Sequence, residues 1–134
     1  MAAFTKEQIE KALDAKSSLL TLADVERIAK AKETVVRVID DFPDNWSKAR
    51  RQATALFELI EWHFQGKREL PLEALQLAAG ALIYLSAPLD LVPDDQEDGY
   101  ADDAAIVSLA AERNREHIRE FCEATGRNAA EYLD

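Results

Sequence analysis

The chain has 134 residues, of which 48% are hydrophobic and 31% charged, and its formal net charge is -10. This length and balance predict one folded globular domain, residues 1–134, and argue against a disordered or fibrous chain. The excess of acid excludes nucleic acid as a direct ligand, because phosphate binding needs clustered lysine and arginine.

The first forty residues predict two helices. Thr5 and Gln8, three residues apart, form a capping-box pattern that begins a first helix ending near Lys16. Thr21 suits the N-cap of a second helix, which we expect over residues 22–40. Four apolar side chains share one face of that second helix: Val25, Ile28, Val35 and Ile39.

The middle of the chain predicts two more helices. Apolar residues recur at steps of three and four through residues 47–65, and Gly66 is a suitable stop for this third helix. A fourth helix is expected over residues 72–87, with Pro71 in its first turn. Because this helix is apolar nearly all round, and Gly80 would allow a neighbour to approach closely, we place it at the centre of the fold.

A fifth helix is predicted over residues 102–125, after a break at Pro88 and before a stop at Gly126. Only four glycines and four prolines occur in the chain, which disfavours the many tight turns of a sandwich or barrel. The sequence therefore predicts an all-α fold, a compact single-domain bundle of four to six helices.

The sequence also predicts a cytoplasmic protein. Cys122 is the single cysteine, so no internal disulfide forms, which fits a reducing compartment. The N-terminal residues are charged and amphipathic, unlike a secretory signal. The longest uncharged stretch, residues 74–89, is shorter than the roughly 20 apolar residues of a spanning helix, so no membrane span is expected.

Negative charge is concentrated in one part of the sequence. Between Arg68 and Arg113 there is no lysine or arginine, whereas ten carboxylates occur there. The remaining 16 of the 26 acids balance the 16 bases of the chain. These ten carboxylates are Glu69, Glu73, Asp90, Asp94, Asp95, Glu97, Asp98, Asp102, Asp103 and Glu112. A surface of this kind would attract a basic partner.

Residues 84–103 contain a recognisable motif. The stretch begins with Tyr84-Leu85, continues as Pro88-Leu89-Asp90-Leu91-Val92-Pro93-Asp94, and ends with Gly99-Tyr100-Ala101-Asp102-Asp103. It resembles the signature of the YkvA-like family, in which Tyr-Leu is followed by Pro-x-Asp-Leu-Ile-Pro-Asp and then by Gly-x-x-Asp-Asp opening a helix. The resemblance implies a compact helical domain and no established reaction.

One part of the motif departs from that family. Between Asp94 and Gly99 the family usually carries an apolar, proline-containing stretch, whereas this chain has four polar residues there, Asp95-Gln96-Glu97-Asp98, and is one residue shorter. Some members of the family associate with membranes. The acidic stretch would be repelled by an anionic membrane surface, so we do not extend membrane association to this chain.

Two interpretations of the signature aspartates remain open. As structural residues, Asp90 and Asp94 would accept hydrogen bonds from loop N–H groups, and Asp102 or Asp103 would cap the fifth helix. As metal ligands, all four would converge on Ca²⁺ or Mg²⁺, since carboxylates suit hard cations. The spacing is not that of an EF-hand, because position 12 counted from Asp94 is Ala105 instead of glutamate.

No pattern of catalytic residues is evident, so we expect no catalytic site. His63 and His117 belong to no metal-binding His-Glu motif, and a surface or packing role is predicted for both. Cys122 lies on an apolar stripe, which favours a buried, inert thiol. No glycine-rich phosphate loop is present.

The sequence leads to two hypotheses of function. The first is a non-enzymatic interaction module whose acidic face, around residues 90–103, binds a basic surface on a protein partner or on another copy of the chain, as an antitoxin or immunity protein would. The second is a divalent-metal-binding or metal-dependent hydrolytic protein that uses Asp90, Asp94, Asp102 and Asp103.

Overall fold

The computed structural model describes residues 5–86 and 101–133, and in these residues it is entirely helical, with no strand. Asp90 and Asp94 of the signature lie outside the described residues. Eight α-helices and one short 3₁₀ helix, Asp44–Trp46, form the described part of the chain. The α-helices are α1 (Lys6–Ser17), α2 (Leu22–Lys30), α3 (Lys32–Asp40), α4 (Ser47–Phe64), α5 (Leu72–Leu85), α6 (Ala101–Arg113), α7 (Arg115–Thr125) and α8 (Ala130–Leu133).

The all-α prediction is confirmed, but the predicted number of helices was too small. The second and fifth predicted helices are each divided by a single residue, Ala31 or Asn114, whose backbone leaves the helical conformation. The break at Asn114 coincides with a tertiary contact, in which its buried side-chain Nδ2 donates a hydrogen bond to the carbonyl of Ala74 in α5, 3.1 Å away. The spacing of apolar residues does not reveal such a kink, because the same helical spacing continues on both sides of the break.

Local signals set most helix ends as predicted. Thr5 and Gln8 form the capping box of α1, with the Gln8 N–H donating to the Thr5 hydroxyl at 3.1 Å. Thr21 caps α2 in the same way, with Asp24 as its reciprocal partner. Gly66 and Gly126 have φ of 75° and 74°, a left-handed conformation that favours glycine.

Helix α5 lies at the centre of the fold, as its composition predicts. It packs against α1, α4 and α6, and its buried residues lie all around its axis. Gly80 faces Ser17 of α1, where a β-carbon would lie 3.0 Å from the Ser17 Cα. The absence of a side chain at Gly80 therefore sets the distance between α1 and α5.

The C-terminal segment is attached to α4 through side-chain hydrogen bonds. Gln52, which is buried, donates through Nε2 to the carbonyl of Tyr132 at 2.8 Å, and Arg51 donates through Nε to the carbonyl of Glu131 at 3.0 Å. These bonds satisfy carbonyls of the short helix α8, whose four residues would not be helical alone. No helix in the described parts of the chain is long and apolar enough to cross a bilayer.

Candidate functional site

The two described aspartates of the signature lie at the start of α6 and point into the protein. Asp102 is 0% exposed and Asp103 is 5% exposed. The helix begins at Ala101, so both lie within its first turn instead of at the N-cap position that we had expected for one of them. Carboxylates in a first turn interact favourably with the helix dipole.

The hydroxyl of Tyr84 donates a hydrogen bond to Oδ2 of Asp102 at a distance of 2.8 Å. Tyr84 is itself only 3% exposed and belongs to the last turn of α5. The bond thus joins the end of α5 to the start of α6, and both of its members belong to the signature. Because both groups are buried, losing either partner would leave a polar group without this bond at substantial cost.

The burial of Asp102 and Asp103 changes which residues make up the acidic surface. Three other carboxylates of the base-free interval, Glu69, Glu73 and Glu112, are exposed and form no ion pair with any described residue. Helices α5 and α6 run antiparallel, since Tyr84 meets Asp102 at one end of the pair while Ala74 meets Asn114 at the other.

Glu69, Glu73 and Glu112 consequently lie near one end of the α5–α6 pair, which we call the acidic end. Arg113 is at this end, but its guanidinium already bonds Asp14 at 3.0 Å and lies 3.6 Å from Glu10. Two acids of α1 therefore share Arg113, and the three glutamates of the acidic end form no ion pair with it.

The structure describes only part of the predicted metal site, because Asp90 and Asp94 lie outside the described residues. In residues 5–86 and 101–133 there is no group of three or more histidine, cysteine, aspartate or glutamate side chains placed to hold a metal ion. Only two of the four predicted ligands, Asp102 and Asp103, belong to those residues.

One of the two histidines, His63, and the cysteine occupy packing positions. His63 accepts a hydrogen bond through Nδ1 from the N–H of Leu70, 3.0 Å away, which ties the α4–α5 loop to the end of α4. An Nδ1 that accepts this bond carries no proton of its own. Cys122 is buried, as predicted, and burial raises the pKa of its thiol.

A cleft with an apolar lining opens between α2, α3 and α5. Its volume is about 430 Å³, and its walls include Leu20, Ile28, Val35, Leu82 and Ile83. The apolar stripe predicted for residues 22–40 supplies one wall, because the break at Ala31 separates α2 from α3. Periodicity alone did not indicate this cleft.

A second cleft, of about 420 Å³, runs along α4. Four of its six charged lining residues are bases. Its lining residues come from α3, α4 and the C-terminal segment and are Lys32, Val36, Arg50, Arg51, Thr54, Phe57, Glu58, Glu61, Arg127 and Tyr132. We call it the cationic groove. This groove was not predicted from the sequence, because its four bases are spread over residues 32–127 and form no run.

Two ion pairs neutralise part of the cationic groove. Arg127 binds Glu58 through both terminal nitrogens, at 2.6 and 2.8 Å, and this pairing holds the pKa of the guanidinium above its usual range. Lys32 lies 3.3 Å from Glu61. The Arg127 guanidinium also covers the ring of Phe121, with 5.3 Å to its centroid.

Comparison with protein-family models, with curated proteins and with solved structures found no match to the chain. The resemblance to the YkvA-like family therefore depends on the residues of the signature and stays a prediction.

Proposed function

We propose that this chain is a non-enzymatic protein-interaction module that uses its uncompensated negative charge to bind a partner with a basic surface. The observation that carries this proposal is the acidic end, where Glu69, Glu73 and Glu112 are exposed and form no ion pair with any described residue. Charge complementarity of this kind increases association rates and selects against partners of the wrong sign.

The sequence places further acid at the opposite end of the α5–α6 pair. Residues 87–100, which connect the two helices there, contain five of the ten carboxylates of the base-free interval and no base. Asp102 and Asp103 are buried, so the proposal now depends on the exposed glutamates and on this connecting segment instead of on the whole stretch 90–103. The partner is a basic protein, or a basic surface of a second copy, and an antitoxin- or immunity-like role would be one form of this function.

The test compares two charge-neutralised variants with the wild-type chain. In the first, Glu69, Glu73 and Glu112 are changed to glutamine. In the matched control, Glu33, Glu123 and Asp40, which are exposed and lie outside the interval, are changed to their amides. Partners are captured at low and at high salt, and the chain alone is sized at both. We expect salt-sensitive capture by the wild type and the control, and weaker capture by the first variant.

Two results would show that the acidic end does not bind a basic partner. One is a lone monomer that captures no salt-sensitive partner, and the other is equal capture by both variants.

A divalent-metal-binding or metal-dependent hydrolytic protein is the second candidate function. The observation that favours it is the burial of two adjacent carboxylates, Asp102 and Asp103, in the first turn of α6. Calorimetry with Ca²⁺, Mg²⁺ and Mn²⁺ is the direct test, with Asp103→Asn as the comparison. No heat and no change in melting temperature at millimolar metal would exclude this candidate.

We also propose that the chain is a distant relative of the YkvA-like family. The support is the signature itself, together with the hydrogen bond between two of its members, Tyr84 and Asp102, which gives those positions a shared structural role.

A further inference from the structure

The cationic groove is long and narrow. Along α4 it is lined by Arg50, Thr54, Phe57 and Glu61, which recur at helical spacing over eleven residues, so its length is about 16 Å at roughly 1.5 Å per residue. Lys32 and Val36, one turn apart, line it from α3. An extended polypeptide advances about 3.3 Å per residue, so the groove has the length of roughly five residues.

The two ends of the groove differ in charge. At the Glu61 end, the bases Lys32 and Arg127 are paired with acids. At the other end, Arg51 is exposed, and only its Nε has an acceptor among the described residues, the carbonyl of Glu131. Arg50 beside it has one acid within reach, the fully exposed Asp44 at 3.4 Å, a contact that water weakens.

The middle of the groove is apolar. Val36 lines it and is 38% exposed, and the nearly buried Phe57 is a second apolar residue of the lining. A segment that covered Val36 would remove this apolar surface from water. The groove thus offers the terminal nitrogens of Arg51 at one end and an apolar surface beyond them.

We propose that the cationic groove binds an extended segment of a partner protein in which an acidic residue is followed by apolar residues. The acidic side chain pairs with the terminal nitrogens of Arg51, since a guanidinium binds a carboxylate through two parallel hydrogen bonds. The apolar residues lie over Val36 and Thr54. This surface is distinct from the acidic end. The acidic end binds a basic partner, whereas the cationic groove binds an acidic segment.

The net charge of the chain restricts the segment further. At -10, the protein repels a strongly acidic ligand at long range, whereas at physiological salt this repulsion is screened beyond about 8 Å. A segment with one or two carboxylates is attracted by Arg51 at contact distance, and the net charge of the chain repels it only weakly as it approaches. Polyanions such as nucleic acid or a phosphate-rich peptide do not fit this arrangement.

A displayed library of random peptides tests the proposal. The full chain is used to select binders, which are then measured as synthetic peptides against three variants. Arg51→Glu reverses the charge at the open end, and Val36→Glu places a charge on the apolar surface. Lys48→Glu, an exposed change of the same sign on α4 outside the groove, is the control.

We expect the selected peptides to contain an acidic residue next to apolar ones. Arg51→Glu and Val36→Glu should each weaken their binding by about tenfold or more, corresponding to the loss of one charged or apolar contact, while Lys48→Glu leaves it nearly unchanged. Both groove variants are needed because Arg51 also bonds a carbonyl of α8, so Arg51→Glu alone could weaken binding by disturbing that helix. The Val36 side chain is exposed, and we expect its replacement to leave the fold intact.

Three results would overturn the proposal. One is a selection that yields no peptide sensitive to Arg51→Glu or Val36→Glu. A second is enrichment of basic peptides, which would assign the binding to the acidic end instead. The third is binding of phenylacetate at the groove, measured by NMR, that is as tight as that of the selected peptides or tighter. That result would make the occupant a free organic acid.

Discussion

Gly80 of α5 lies directly against the backbone of Ser17 in α1, and no side chain fits between them. A β-carbon at position 80 would lie 3.0 Å from both the Cα and the Cβ of Ser17, and closer still to its hydroxyl. The two carbon contacts would be tighter than nearly all that occur in folded proteins, and the contact with the hydroxyl would be a clash. The close approach buries Ser17 and places α1 against the central helix.

Replacing Gly80 by alanine should therefore destabilise the protein. Alanine would gain up to about 1 kcal/mol of helix propensity, but the added methyl group must displace Ser17, and overpacking of this kind costs about 1–3 kcal/mol. We expect a net loss in the free energy of unfolding, measured by chemical denaturation.

Ser17→Ala is the matched change on the other side of this contact. The Ser17 hydroxyl is buried and has no hydrogen-bond partner among the described residues, so its removal should be neutral or stabilising by about 1 kcal/mol. Equal stability of Gly80→Ala and the wild type would contradict the tight contact.

The bond between Tyr84 and Asp102 predicts that removing a single oxygen atom lowers the free energy of unfolding. Tyr84→Phe takes away the hydroxyl that donates to the buried carboxylate, and we expect a loss of about 1–3 kcal/mol in the free energy of unfolding. A double-mutant cycle with Asp102→Asn would show whether the two residues are coupled.

Tyr132→Phe is the control for this prediction. The Tyr132 hydroxyl lies 3.5 Å from Arg127, a long contact, so the same chemical change should have a much smaller effect. Equal losses for the two tyrosine variants would show that the Asp102 bond contributes nothing specific.

Asn114 is expected to be essential for the junction of α6 and α7. Its side chain is 1% exposed and donates to the Ala74 carbonyl, so Asn114→Ala removes a buried hydrogen bond and leaves a small cavity. We expect a loss of about 2 kcal/mol by thermal or chemical unfolding. Asn128→Ala, at an exposed position where the side chain accepts one local bond, should cost well under half as much.

Cys122 should give the stability a dependence on alkaline pH. Burial raises the pKa of its thiol above the ordinary value of 9.0, so the unfolded chain loses this proton at lower pH than the folded one. The contribution to stability is complete below pH 9.0 and is lost as the pH rises through the pKa of the folded state.

Cys122→Ala isolates this effect from the titration of other groups. The free energy of unfolding of the wild type should fall more steeply between pH 8 and pH 10.5 than that of the variant. A thiol reagent should also react slowly with the native protein and rapidly after denaturation. Parallel pH profiles, or fast native reaction, would contradict a buried thiol.

The sequence predicted the features that depend on neighbouring residues. The capping box at Thr5, the N-cap at Thr21 and the stops at Gly66 and Gly126 are confirmed, because each depends on side chains or backbone freedom within a few residues. The central position of α5 followed from its composition, since a helix that is apolar all round has to be enclosed by others.

The division of two predicted helices could not be read from their periodicity. Asn114 leaves the helical conformation while its side chain bonds α5, forty residues away in sequence, and the apolar pattern on either side continues unchanged. The cationic groove was equally hidden. Lys32, Arg51 and Arg127 are separated by long intervals, and only the packing of α3 and the C-terminal segment on α4 brings them together.

What the sequence determined by itself is the helical class, most helix ends, and the concentration of acid between Arg68 and Arg113, all of which are local or additive properties. Only the tertiary structure decided which of those acids face water. Asp102 and Asp103 are as charged in the sequence as Glu69 and Glu73, yet the first two are buried at the start of α6 and the others are exposed. The physical reason is that a carboxylate's exposure depends on the helices packed around it, which its sequence neighbours do not specify.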